Sequence, residues 1–173
     1  MKRQDWPEGA GETAAWPRAF GESRQWCFLR LNPGIEPLKA LVETFLETWG
    51  FDVGDATRLK RRNEWVQLLL DGEAKLADLI DETERRYAEL GQPKPPAFFL
   101  YIDQGEELYA HAERRQARRF SELVAHGLSD IRITALMSLR TDFFGELQND
   151  EMLFGVHRQI NVAPCGKRSY VRS

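Results

Sequence analysis

"AFFLYIDQGEELY", residues 97–109, is the stretch on which the fold turns. Residues 98–102 are an unbroken run of aromatic and aliphatic side chains, the pattern of a strand buried on both faces. The run stops at Asp103, and Glu106 and Glu107 follow within the next four residues. A strand needs no acid at its tip, so these carboxylates call for a reason.

Upstream, "QWCFLRL" at residues 25–31 is a second short apolar run, ended by the turn signal "NPG". "EPLKALVETFLETWG" then reads as a helix over residues 36–50. Pro37 suits its first turn. Leu38, Leu41, Val42, Phe45, Leu46 and Trp49 recur on one apolar face, and Gly50 is a natural stop. Residues 55–72 read as a second helix, with Asp55 as N-cap and Gly72 as stop. Residues 73–91 read as a third, with Leu76, Leu79, Ile80, Tyr87 and Leu90 on one face and Gly91 closing it. "QPKPP", residues 92–96, is a rigid connector.

Downstream, residues 112–128 read as a helix ending near Gly127. "DIRITALMSLR", residues 130–140, reads as a strand, "TDFFGELQNDEMLFG" as short helical turns, and "RQINVAP", residues 158–164, as a last strand. Apolar strands alternating with helices predict an α/β fold: a parallel sheet covered by helices on both faces. Ligands in such folds sit at the carboxyl ends of the strands, which is where Asp103 lies.

Composition narrows the partners. The 173 residues amount to about one domain, 42% of them hydrophobic and 29% charged, with a net charge of −3. That balance argues against a nucleic-acid or anionic-membrane surface. No apolar run nears the ~20 residues of a membrane span. The N-terminal residues lack the apolar core of a signal peptide. Cys27 and Cys165 stand far apart without a CxxC pair, so the expectation is a cytoplasmic protein without a disulfide framework. His111, His126 and His157 have no metal-ligand spacing. "RRQARR", residues 114–119, reads as a solvated helix face, and Cys27 as core rather than nucleophile.

Two readings of the acids stay open on the residues alone. An acidic turn can cap the next helix and need no ligand. Alternatively the strand is a Walker B element, whose terminal aspartate helps hold Mg²⁺ on nucleotide phosphates while a nearby glutamate orients or deprotonates water.

The second reading gains from a resemblance. "FFLYIDQGEELY" resembles the Walker B segment of the novel STAND NTPases, bacterial signalling ATPases. "FLRLNPGIEPLKAL", "RRFSELVAHGL", "IRITALMSLRTDFFGEL" and "HRQINVAP" resemble four further segments of that family, in the same order, over residues 26–164. The resemblance implies a three-layer P-loop NTPase-type parallel sheet with ATP and Mg²⁺ as cofactors. By position it implies Asp103 as the metal-side acid, Glu106 and Glu107 as the hydrolytic pair, Arg140 as a sensor facing the γ-phosphate, and Asp142 as the residue that holds the local turn.

The phosphate-binding loop departs from the pattern. G-x-x-x-x-G-K-S/T is absent, and the one stretch in its place is "WPEGAGET", residues 6–13. Gly9, Gly11 and Thr13 are its candidate nucleotide-binding residues. Trp6 stands for the first glycine and Glu12 for the lysine. At ~4 Å and an effective dielectric near 20, a unit charge pair is worth about 4 kcal/mol, so this reversal predicts several decades of lost affinity. Pro17 and Gly21 suit the following helix poorly, residues 1–7 lack the apolar run of a first strand, and a helical lid is missing after residue 164. The expected organisation is therefore a degenerate loop remnant at residues 1–24, a STAND-like core at 25–164 and a truncated tail at 165–173, an incomplete fold. Function is expected to be nucleotide binding, impaired, within a signalling protein. The alternatives are a non-catalytic module for protein partners and a gene fragment.

Overall fold

The computed structural model describes residue 23, residues 25–50 and residues 56–160. Three parallel strands form one sheet: β1 (Cys27–Leu31), β2 (Phe98–Ile102) and β3 (Ile133–Met137). β2 lies in the centre. Its register places Leu29 beside Leu100 and Leu100 beside Ala135, with no slip at either ladder. Side chains alternate across a strand, so Cys27, Leu29, Leu31, Phe98, Leu100, Ile102 and Ile133 all point into one core.

Helices cover that face. α1 (Pro37–Thr48) follows β1, then come α2 (Ala56–Asp71) and α3 (Leu76–Glu89) before β2. After β2 come the short α4 (Glu107–Ala110) and α5 (Arg114–Gly127). β3 is followed by a 3₁₀ turn at Thr141–Phe143, then α6 (Phe144–Asn149) and α7 (Glu151–Val156). The expected apolar face of α1 is the buried one: Leu38, Leu41, Val42, Phe45 and Leu46 are sealed, and Pro37 opens the helix. Leu76, Leu79 and Ile80 anchor α3, whereas Leu90 is its exposed C-cap and leaves the face it was expected to join.

Polar ties fix how the helices sit. Trp49 Nε1 donates to Thr83 Oγ1 at 2.7 Å, joining α1 to α3. Arg119 Nε donates to the Leu69 carbonyl at 2.6 Å and its Nη2 to the Ala74 carbonyl, so α5 ties down the end of α2 and the turn that follows it. Arg119 is thus a structural arginine, while its neighbours in the 114–119 run keep the expected solvated character: Arg115 pairs with Asp71 and Arg118 with Glu122. Gly127 is needed because Leu76 Cδ2 would lie 2.5 Å from a Cβ there. Cys27 is core as expected, and burial pushes its thiol up to about 11.

The opposite face of the sheet is half open among the described residues. Phe28 is 50% exposed and Leu136 47%. Phe28 stacks with Trp26 and contacts Phe99, ring centroids 6.4 and 5.7 Å apart. The last strand expected at residues 158–164 falls outside the described residues, apart from residues 158–160, which form no strand. Asp55 also lies outside them. No helix among the described residues is long and apolar enough to cross a membrane.

The two faces should respond differently to truncation. Phe98→Ala, on the sealed face, is expected to lose about 3–5 kcal/mol of stability, and Phe28→Ala less than about 1 kcal/mol. Urea unfolding of both variants measures this, and equal losses would show that Phe28 is covered in solution.

Candidate functional site

The carboxyl ends of the three strands form a crest, and Asp103 stands at its centre. Its backbone N–H donates to the Leu31 carbonyl at 2.8 Å, so the last rung of the sheet holds it in place. The alternation that buries Ile102 turns Asp103 to the same side as Phe99 and Tyr101. Three strands then supply donors. Arg30 Nη2 from β1 donates to Oδ2 at 2.6 Å. The Tyr101 hydroxyl from β2 donates to Oδ1 at 3.2 Å. The Ser138 hydroxyl, just past β3, donates to Oδ1 at 3.3 Å. The Arg30 guanidinium also lies over the Tyr101 ring, 5.9 Å from its centroid.

This company holds the Asp103 carboxyl below the usual aspartate range, the hydrogen bond from Arg30 being the largest cause. Arg30 remains largely in solvent, its side chain 63% exposed against 22% for Asp103.

The turn after Asp103 is tight. Gln104 has φ +57°, unusual for a side chain larger than glycine. Its N–H donates to Ser138 Oγ at 2.9 Å, and the Gly105 N–H donates to the Ser138 carbonyl at 2.8 Å. A Cβ on Gly105 would meet Met137 Cγ at 2.5 Å and the Ser138 carbonyl oxygen at 2.9 Å. Only glycine lets the turn press against the end of β3, and that contact brings the Ser138 hydroxyl to Asp103.

The sequence-predicted residues divide. Glu106 caps α4 and Glu107 begins it. Glu107 Oε2 lies 3.9 Å from the Cβ position of Gly34, so it sits over the Asn32–Pro33–Gly34 turn that follows β1. That turn is closed by the Gly34 N–H donating to Asn32 Oδ1 at 3.1 Å, with Gly34 at φ +53°. The turn "NPG" and the acidic turn are thus neighbours across the crest. Arg140 follows β3 and pairs with Asp142 at 2.7 Å, both exposed, with its guanidinium over Phe143. Among the described residues the pair makes no bond to the Asp103 cluster. Gly9, Gly11 and Thr13 lie outside the described residues.

Sequence inspection missed Arg30, Tyr101 and Ser138. The signal was present for the first two: period-two alternation puts positions 30 and 101 on the Asp103 side, and parallel register sets them side by side. Nothing in the sequence pointed to Ser138. A separate cleft of about 490 Å³, lined by Lys75, Arg119, His126 and Asp130 among others, shares no residue with the crest.

A three-stranded parallel sheet flanked by helices, with its polar cluster at the carboxyl crest, makes an α/β domain consistent with an incomplete P-loop-like fold. The family model for Novel STAND NTPase 1 matches residues 10–172, and the chain belongs to that family. No curated protein and no solved structure matches it.

An NTPase family suggests use of nucleotide and Mg²⁺. Among the described residues no three His, Cys, Asp or Glu side chains converge as a metal cage. Mg²⁺ in such sites is held by one or two carboxylates together with substrate phosphates. One ionised carboxylate on a rigid strand tip, beside a hydroxyl, fits a metal that arrives with a polyphosphate.

Two outcomes follow. Carbon-detected NMR of Asp103 should show titration below the ordinary aspartate value of about 3.9, moving up in Arg30→Gln. A carboxyl depressed on folding stabilises the fold above its unfolded pKa, and the contribution fades as pH falls through the folded value. An unchanged titration in the variant would remove Arg30 as the cause. Gly105→Ala should cost about 1–3 kcal/mol, read by thermal unfolding, because Met137 and the backbone of Ser138 must both give way.

Proposed function

We propose that the chain is a STAND-type nucleotide-binding domain of a signalling protein, impaired in binding Mg·ATP. The supporting observation is Asp103: an ionised carboxylate at the tip of the central strand, with Glu107 facing the turn of the neighbouring strand. In this reading Asp103 would hold Mg²⁺ through water. Mg²⁺, when bound, would neutralise charge developing on the phosphates. Glu106 and Glu107 orient the attacking water or take its proton, and neither makes a hydrogen bond or ion pair that would occupy its carboxylate among the described residues. Arg140 is two residues past Ser138 and can turn towards a terminal phosphate once it leaves Asp142. Arg140→Ala is then expected to weaken Mg·ATP binding without altering stability.

Impairment rests on the loop. Backbone amides and a lysine normally cradle the phosphates, and "WPEGAGET" offers Glu12 in the place of that lysine. Binding of Mg·ATP by calorimetry is expected in the millimolar range or weaker, with phosphate release at background. Glu12→Lys should strengthen binding by about tenfold or more, since it replaces a repulsion by an attraction. No gain would mean that residues 6–13 are not the phosphate loop. Mg-dependent hydrolysis that disappears in Asp103→Ala would keep the nucleotide site and overturn the impairment.

The half-open sheet face favours a second reading, a module that binds protein partners without catalysis. Phe28, Phe99 and Leu136 present an apolar surface there. In that case Asp103→Asn would leave partner binding intact, and Phe28→Asp would abolish it.

A further inference from the structure

Asp103 is not a vacant ligand. Both of its oxygens are taken by protein donors, and the strongest of these is a cation. We propose that Arg30 is the resident counter-ion of Asp103 and competes with an incoming divalent cation for it, so that loading the crest requires the guanidinium to leave. The inference rests on the nucleotide-binding reading for its purpose, though not for its geometry.

Three observations carry it. First, the crest is acidic: Asp103, Glu106 and Glu107 fall within five residues, and among the described residues Arg30 is the one cation bonded to any of them. Without a metal, such a strand tip needs a positive charge from elsewhere, and Arg30 supplies it. Second, the partner is one that can leave. The Arg30 side chain is 63% exposed, and a single Nη2 hydrogen bond at 2.6 Å joins it to Asp103. Exposed ion pairs are weak and sensitive to salt, which suits an exchangeable counter-ion better than a structural strut. Third, the departing group has a place to go. The guanidinium already lies over the Tyr101 ring, on the half-open face of the sheet, and can stay there while releasing the carboxylate. Tyr101 and Ser138 keep their hydrogen bonds to Oδ1, so Oδ2 is the oxygen freed. The exchange is one of ionic partners only: no covalent bond forms or breaks, and Asp103 stays ionised throughout.

The competition predicts a sign that a stabilising role would not. Removing Arg30 should improve cation binding, by about two- to fivefold given the usual strength of an exposed pair, and this gain should shrink as KCl is raised. Loss of a positive charge alone also favours a cation, so a double-mutant cycle separates the two effects.

The test uses the full chain titrated with Mn²⁺, read by water-proton relaxation, in wild type, Arg30→Gln, Asp103→Asn and the double variant, and repeated with ATP present. Arg30→Gln is expected to bind Mn²⁺ about two- to fivefold more tightly than wild type, with a melting temperature only slightly lowered, as loss of one exposed ion pair requires. Asp103→Asn should lose that binding, and adding Arg30→Gln to it should restore nothing. Equal affinity of wild type and Arg30→Gln overturns the proposal. So does an equal gain in the Asp103→Asn background, which would be bulk charge alone, and so does the absence of Mn²⁺ binding in every variant. The ATP arm speaks to the nucleotide reading separately. If the Mn²⁺ gain appears and ATP adds nothing, competition at Asp103 stands and the nucleotide site does not. If ATP brings Mn²⁺ to wild type and Arg30→Gln alike, the nucleotide site stands and the competition does not.

Discussion

The crest depends on one constraint, the slip-free parallel pairing of β2 with both of its neighbours. Parallel ladders carry no tight hairpin to set their register, because the connections run through helices. Here the register is set by the inward row instead. A shift of one residue on β2 would turn Phe98, Leu100 and Ile102 to the half-open side and bring Phe99 and Tyr101 into the core. The hydrophobic cost of that shift is what keeps Asp103 beside Leu31 and Ser138, and hence within reach of Arg30. The polar cluster is a consequence of apolar packing on the opposite face.

That dependence explains what could be read from the sequence. The strand at residues 98–102 and the face of α1 were legible because each is a local pattern: a continuous apolar run, and an apolar stripe with helical spacing. Leu90 misled for a related reason. Spacing placed it on the α3 face, but the helix unwinds there and the residue caps it in solvent. The 114–119 run was legible as charge but not as structure, since the role of Arg119 comes from carbonyls fifty and forty-five residues earlier, at the end of α2 and in the turn after it.

For the site, the acids were legible and their partners were not. Asp103, Glu106 and Glu107 announced themselves by standing at the end of an apolar run. Arg30 lies 73 residues away and meets Asp103 only once register is known. Ser138 lies 35 residues away and reaches Asp103 because Gly105 allows the turn to press against it. Sequence patterns identify which residue types a site holds. Which charge faces which is decided by the pairing of strands.

Charge accounting gives the crest its character. A P-loop site binds a polyanion by collecting positive charge: a lysine, amide dipoles and a metal. In this chain the stretch read as that loop, residues 6–13, carries Glu12 where the pattern has its lysine. The positive charge that the structure does place at the crest, Arg30, is spent on Asp103. Among the described residues, a polyphosphate approaching this surface therefore meets a near-neutral pair and two glutamates without an ion-pair partner. On the proposed exchange a divalent ion would shift that balance, adding two positive charges while the guanidinium lets go of the carboxylate and stays over the Tyr101 ring. Phosphate affinity at such a crest should depend on the metal more steeply than in a site with its lysine in place, because here the metal would both attract the anion and displace Arg30, the one arginine bonded to Asp103 among the described residues.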